Sequence, residues 1–177
     1  CHVTVIDKNN HTLFAPLLYQ VATAALNEDD IATPIRRVLR EQKNASVIMD
    51  EVTGIDVSRK IVVAKEHEIP FDYLVIAVGV GANYFGHPEW QTLAKPLKSL
   101  SDALEIREQL LNSFEQAQTE ADPEKRRALL TCVIAGGGPT GVEMAGAIAE
   151  LWRETLARGL SNVGAHEVRI ILVEGSK

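Results

Sequence analysis

The stretch CVIAGGGPTGVEMAGAIAELW, residues 132–152, limits the fold more than any other part of the chain. An apolar run rich in β-branched residues leads into glycines at 136, 137, 138 and 141, and an alanine-rich amphipathic stretch follows. Glycine inside a helix costs roughly 1 kcal/mol relative to alanine. A cluster of them at a strand–helix junction therefore needs a local reason. Gly136, Gly138 and Gly141 have the spacing G-x-G-x-x-G, with Pro139 and Thr140 filling the interval before the third glycine. Gly136 permits a tight turn, Gly138 leaves room for a pyrophosphate against the backbone, and Gly141 lets the helix pack close to the strand. Unpaired amides of the first helical turn, reinforced by the helix dipole, then hold the phosphates. The next expected strand, 168–173, ends at Glu174, an acid placed to bond the ribose hydroxyls of an adenosine. The interval from Gly136 to Glu174 exceeds the usual spacing of about 20 residues. The long helix and the loop LARGLSNVGAHE account for the excess. A carboxylate at this place repels a 2′-phosphate and so favours NADH over NADPH, a preference that the neighbouring Lys177 would soften. The bland alternative is a glycine-rich turn with no ligand. Strand, helix and terminal acid in the right order favour the dinucleotide.

The rest of the composition narrows the class. A formal net charge of −6 over 177 residues argues against a nucleic-acid groove. Cys1 and Cys132 are far apart, which fits a reducing compartment and offers neither a disulfide framework nor a zinc site. His2, His11, His67, His87 and His166 show no ligand spacing, so no metal is expected. No apolar run approaches the roughly 20 residues that span a bilayer. The chain opens on Cys and runs at once into HVTVIDKNN, and it stops just after a strand. Both ends read as cuts through a longer protein.

Along the chain, His2–Ile6 alternates and is β-branched, which predicts a strand ending at Asp7. Thr33 and Pro34 give the cap and first-turn signals of a helix carrying Ile35, Val38 and Leu39 on one face. Residues 45–82 read as consecutive strands, with turns near Ser58–Lys60 and Lys65–Glu68. Tyr73–Val78 is nearly all apolar, as for a strand buried on both faces. A helix capped by Ser101 is expected to bury Ala103, Ile106, Leu110, Phe114 and Ala117. A second helix starts at Asp122–Pro123, and a strand spans 131–135. The helix after the glycine loop is expected to carry Val142, Ala145, Ala149, Trp152 and Leu156 on its buried stripe.

The segment VTVID has the same form as IILVE, a β-branched strand ending in an acid. Asp7 thus reads as the ribose acid of a second dinucleotide half-site whose glycine loop lies upstream of Cys1. Strands commonly end in Asp, so the residues alone leave this open.

Four segments carry a resemblance: HTLFAPLLYQVATAAL, FDYLVIAVGVGANYFG, PLKSLSDALEIREQLLNSFEQAQ and VIAGGGPTGVEMAGAIAEL. Together they resemble the type II NADH dehydrogenases, single-subunit flavoenzymes that pass electrons from NADH to quinone without pumping protons. The resemblance implies that Asp7 binds the adenosine ribose of FAD, with Lys8 beside it. It implies that the backbone of Val52 meets the adenine and that Gly79 passes close to FAD. It places Pro16 and Leu17 near the isoalloxazine ring and the quinone entrance. For each of these positions core packing is the competing explanation, and Leu17, Leu18 and Val52 would look the same in any buried segment. It points Glu143 at the flavin–nicotinamide contact, where the acid would orient the nicotinamide or manage charge. A favourable charge in the first turn of a helix is the competing explanation there. Related dithiol reductases carry a redox cysteine pair after the Asp7-type strand, and none occurs between Lys8 and Gln42.

The expected fold is α/β: two Rossmann-like dinucleotide-binding domains, both incomplete, with a β-meander. Residues 1–98 are read as part of an FAD-binding domain, 99–128 as a helical connector and 129–177 as part of an NAD-binding domain. The expected activity is FAD-dependent NADH:quinone oxidoreduction. The resemblance implies a cytoplasmic homodimer, peripheral at the inner face of the cell membrane through regions outside this chain. A same-fold NADH-dependent reductase using ferredoxin or oxygen, and a non-catalytic NADH sensor, remain as alternatives. The 177 residues by themselves are expected to bind FAD poorly and not to turn over.

Overall fold

The computed structural model describes residues 1–156, 159, 162–164 and 166–175. Lys177 and the Leu156 side chain lie outside what is described, as do five positions of the LARGLSNVGAHE loop region. The chain divides into two compact units: Cys1–Leu13 with Ala32–Val80, and Phe14–Ile31 with Gly81–Lys177.

In the first unit, β1 (Val3–Asp7) pairs in parallel with β4 (Ala45–Met49), Asp7 opposite Met49. Short strands β2 (His11–Leu13) and β3 (Ala32–Pro34) pair antiparallel. The helix α3 that follows is one turn, Ile35–Val38. The expected cap at Thr33 does not form, because Thr33 belongs to the β2–β3 ladder and its carbonyl accepts the Thr12 hydroxyl at 3.1 Å. Extended Pro34 (ψ 127°) is the N-cap instead, and of the expected apolar face only Ile35 is buried while Val38 is exposed. Strands β5 (Val52–Asp56), β6 (Ile61–Ala64) and β7 (Glu68–Pro70) form an antiparallel meander whose turns fall where glycine-free polar clusters predict them. Val62 and Ala64 bury its inner face.

The two-sided strand expected over Tyr73–Val78 is absent. Those residues have no regular structure and no ladder partner, and Tyr73, Val75 and Val78 are almost fully exposed. A strand buried on both faces needs backbone partners at its flanks. The β1–β4 sheet ends at two strands among the described residues, and neither receives this segment.

The second unit is built on helices around one βαβ element. After a 3₁₀ turn at Ala15–Leu17 come α1 (Leu18–Ala22) and α2 (Glu28–Ile31). Helix α4 (Leu100–Thr119) starts on a capping box: Ser99 accepts the Asp102 amide at 3.2 Å, and Asp102 accepts the Ser99 amide at 2.8 Å. Such a cap contributes about 1 kcal/mol. The cap is therefore Ser99 and not Ser101, which sits inside the first turn next to Asp102, too close along the chain for the reciprocal bond. Helix α5 (Pro123–Leu129) starts on the Asp122 side chain. Strand β8 (Thr131–Ala135), helix α6 (Pro139–Leu151) and strand β9 (Arg169–Val173) complete the βαβ, with β8 and β9 parallel and in direct register.

Helix α1 packs on α4 and α6. Val21 and Ala22 of α1, with Ala103 and Ala117 of α4, are fully buried, and small side chains there allow close approach. Phe114 stacks obliquely on Trp152, ring centroids 5.5 Å apart. Burying a side chain of the size of Phe114 contributes about 1.5–3 kcal/mol. The buried stripe of α6 is Met144, Ile148 and Leu151, continued by Trp152, and not the expected Val142, Ala145 and Ala149. Val142 and Ala149 are exposed and Ala145 half-buried, since the face of α6 that packs inward carries Met144, Ile148 and Leu151.

Arg126 of α5 ties this unit together. Its Nε donates to Glu167 Oε2 at 2.7 Å and its Nη2 to Glu167 Oε1 at 3.1 Å, while Nη1 donates to the Ala117 carbonyl at 2.6 Å. The remaining bond goes to the Asn162 carbonyl. The guanidinium, helped by the Gly164 amide, holds the Glu167 carboxyl at about 2 against an ordinary 4.5. A depressed carboxylate stabilises the folded state above its unfolded value, and that stabilisation disappears as the pH falls through the folded one. Acid unfolding of the intact polypeptide, followed by tryptophan fluorescence, should therefore steepen between pH 4.5 and about 2. Glu167→Gln should flatten that stretch of the curve while lowering stability at neutral pH.

Candidate functional site

The glycine turn joins β8 to α6. Gly136 has φ +109°, a conformation closed to side chains, and its amide donates to the Val173 carbonyl at 2.8 Å. Gly141 sits in the first turn of α6 directly over that residue. A Cβ built on it would lie 1.9 Å from the Gly136 carbonyl oxygen and 3.4 Å from Leu172 Cδ1. No side chain fits there, so Gly141 is required for the turn to close at all. Gly138 is the N-cap, with φ −70° and ψ 177°, and has open space where a Cβ would stand. It brings no side-chain acceptor to the helix end. Pro139 at the first position has no amide, which leaves the Thr140 and Gly141 amides as the donors of an uncapped turn. A diphosphate fits such an end: bare backbone, room above Gly138, and outward amide dipoles.

Glu174 follows β9 immediately, on the same edge as the turn. Its Oε2 accepts the Gly137 amide at 2.6 Å and its Oε1 accepts the Gly175 amide at 2.8 Å. The structure thus brings Gly136, Gly138, Pro139, Thr140, Gly141 and Glu174 to one place. Glu143 is exposed on α6, at the fifth position of the helix. It lies beyond the first turn, where the expectation put it, because the helix begins at Pro139. The dipole effect fades past that turn, so a simple end charge accounts poorly for this acid.

The residues read as the second half-site divide between the two units. Asp7 ends β1, and its Oδ1 accepts the Asn9 amide at 2.8 Å, closing an Asx turn. Lys8 is the exposed residue beside it, close enough to help Lys65, the larger influence, hold the Glu51 carboxyl below its usual range. Val52 opens β5 opposite Ala64 and is partly exposed. Gly79 takes φ +70° in the irregular segment after the meander. These four belong to the first unit, while Pro16, exposed, and Leu17, half-buried, form the 3₁₀ turn of the second.

Asp50 was not singled out by the sequence. It is 7% exposed, between β4 and β5, and its amide donates to the Asp7 carbonyl at 3.0 Å. Its carboxylate receives His67 Nδ1 at 2.7 Å and the amides of Glu51 and Glu66 at 2.7 and 3.0 Å. The His67 bond leads the amide bonds in holding this carboxyl below the ordinary range against the opposing effect of burial. The pair locks the Asp7 edge of the sheet to the meander. A polar residue between two strand-type runs was the signal available, and its partner 17 residues away was not. Cys132 is half-buried in β8, and burial pushes its thiol up, away from redox reactivity. Among the described residues no helix is long and apolar enough to cross a membrane.

Comparison with known proteins fits this geometry. The chain is 43% identical to the type II NADH:quinone oxidoreductase Ndh of Mycobacterium tuberculosis, over 98% of this chain and 38% of that protein. It is 37% identical to the external alternative NADH-ubiquinone oxidoreductase of Yarrowia lipolytica mitochondria, over 98% of this chain and 32% of that protein. The chain therefore spans about a third of the length of these relatives. Its structure superimposes on NDH2 from Plasmodium falciparum, solved in complex with NADH, with a TM-score of 0.91 and 27% identity, over 99% of this chain and 37% of that one. The model of the pyridine nucleotide-disulphide oxidoreductases matches residues 1–174, ending at the acid that closes on the glycine turn. The chain belongs to the pyridine nucleotide-disulphide oxidoreductase family.

Proposed function

We propose that the intact polypeptide is an FAD-dependent NADH:quinone oxidoreductase that does not pump protons. The observation that carries this is the turn itself: a Gly141 that admits no Cβ, an open Gly138 and an acid facing them across the sheet. The printed names of the relatives supply the acceptor class, a quinone. When bound, FAD and NADH supply hydride transfer to flavin and onward delivery of two electrons.

The chain's own residues bind and orient. The Thr140 and Gly141 amides hold the diphosphate of NADH, and Glu174 holds the adenosine ribose. Glu143, one helical turn along α6, faces the nicotinamide. Asp7 and Lys8 serve the ribose of FAD, the Val52 backbone its adenine and Gly79 a close pass of its chain, while Pro16 and Leu17 lie toward the ring and the quinone. On this reading residues 1–98 serve FAD, 99–128 connect, and 129–177 serve NAD. The whole protein acts as a cytoplasmic homodimer, peripheral at the inner face of the cell membrane.

Purified intact polypeptide should hold FAD and oxidise NADH faster with a short-chain quinone than with oxygen alone, as read by NADH absorbance under air and under argon. Oxygen-limited rates that quinone does not raise would overturn the quinone assignment. Gly141→Val should abolish the folded NAD unit, whereas Gly138→Ala should fold normally. The added methyl of Gly138→Ala meets open space in the protein and opposes only the ligand. Its NADH affinity should fall about tenfold, the scale of an overpacked contact. Glu143→Gln should lower kcat by about tenfold with little change in KM, as for an interaction made at the reacting end.

A further inference from the structure

Glu174 does more than face a ribose. Its carboxylate bridges the amides of Gly137 and Gly175 at 2.6 and 2.8 Å, reaching across 37 residues to the first. One residue back, the Gly136 amide bonds the Val173 carbonyl at 2.8 Å. The exits of β8 and β9 are therefore tied by one backbone bond and one side-chain bond. Gly137 is also packed against this side chain. A Cβ on it would stand 3.1 Å from Glu174 Oε2, 3.2 Å from its Cβ and 3.3 Å from its Cγ.

We propose that Glu174 is a positioning residue for the phosphate-binding turn, so that ribose recognition and diphosphate recognition are coupled through the Gly137 amide. The inference rests on the dinucleotide reading of this turn and goes beyond it. Three successive glycines have wide conformational freedom. A charge-assisted bond to an ionised carboxylate is short and roughly twice as strong as a neutral one. It narrows that freedom where the backbone must meet the phosphates. One consequence concerns specificity. Replacing Glu174 by a small neutral residue, to admit the 2′-phosphate of NADPH, removes repulsion and also releases the turn.

The test uses the intact polypeptide with its flavin bound, titrated calorimetrically with ADP and with 2′,3′-dideoxy-ADP, which has the diphosphate and lacks both ribose hydroxyls. If the acid positions the turn, Glu174→Ala weakens dideoxy-ADP by about tenfold, because a turn competent for a fraction of the time binds in proportion to that fraction. Glu174→Gln keeps an acceptor for Gly137 and should bind dideoxy-ADP within about twofold of the unaltered protein. Dideoxy-ADP affinity unchanged in Glu174→Ala, with only ADP weakened, would overturn the inference and leave the dinucleotide reading standing. Unaltered protein that binds neither ligand would overturn both. Should Glu174→Ala fail to fold, the Gly137 amide decides: slow hydrogen exchange in the unaltered protein supports the brace, and exchange at the rate of an open loop overturns it.

Discussion

The approach of α6 to the end of β8 is the constraint on which the second unit depends. A Cβ at 141 would fall 1.9 Å from the Gly136 carbonyl oxygen, far inside any tolerable contact. The turn can close only because that atom is missing. Closure then sets three things together. It starts α6 at Pro139, it leaves the helix end without a side-chain cap, and it turns Met144 and Ile148 onto the interior. An uncapped helix end and a packed helix thus have the same cause.

The surroundings tie this turn into the fold. Strand β8 lies in direct register with β9, so the Gly136 amide finds the Val173 carbonyl and Glu174 finds Gly137. Below it, Arg126 gathers α5, the end of α4 and the approach to β9 by bonds to Ala117, Asn162 and Glu167. Charge withdrawn from water in this way costs desolvation, and here both oxygens of the acid and the guanidinium face partners. The helices α1, α4 and α6 supply the apolar counterpart through Val21, Phe114 and Ile148.

The two acids that end parallel strands behave differently. Asp7 is one methylene shorter and turns back on the amide of Asn9, two residues on. Glu174 reaches past its own strand to Gly137. At the first edge the reaching is done instead by Asp50, which joins the Asp7 edge to the meander through His67 and the Glu66 amide.

Local chemistry is legible in the amino-acid order alone. G-x-G-x-x-G between a β-branched run and an alanine-rich run specifies strand, turn and helix, since each residue's role there depends on neighbours within one turn of chain. The strand 131–135, the Asp122 start and the meander's turns follow for the same reason. Apart from two local shifts, the cap at Ser99 in place of Ser101 and the start of α6 at Pro139, what failed to follow depended on partners distant in sequence. Thr33 carries a cap signal but pairs in a ladder with Thr12. Tyr73–Val78 has a strand's composition without a ladder to join. The buried face of α6 is set by its packing on β9 and on α1, the latter more than a hundred residues earlier in the chain. The sequence by itself determined a turn with no room for side chains and an acid after the next strand. Only the tertiary structure decided that the acid closes on that turn, because a hydrogen bond between residues 137 and 174 exists only once β8 and β9 lie side by side.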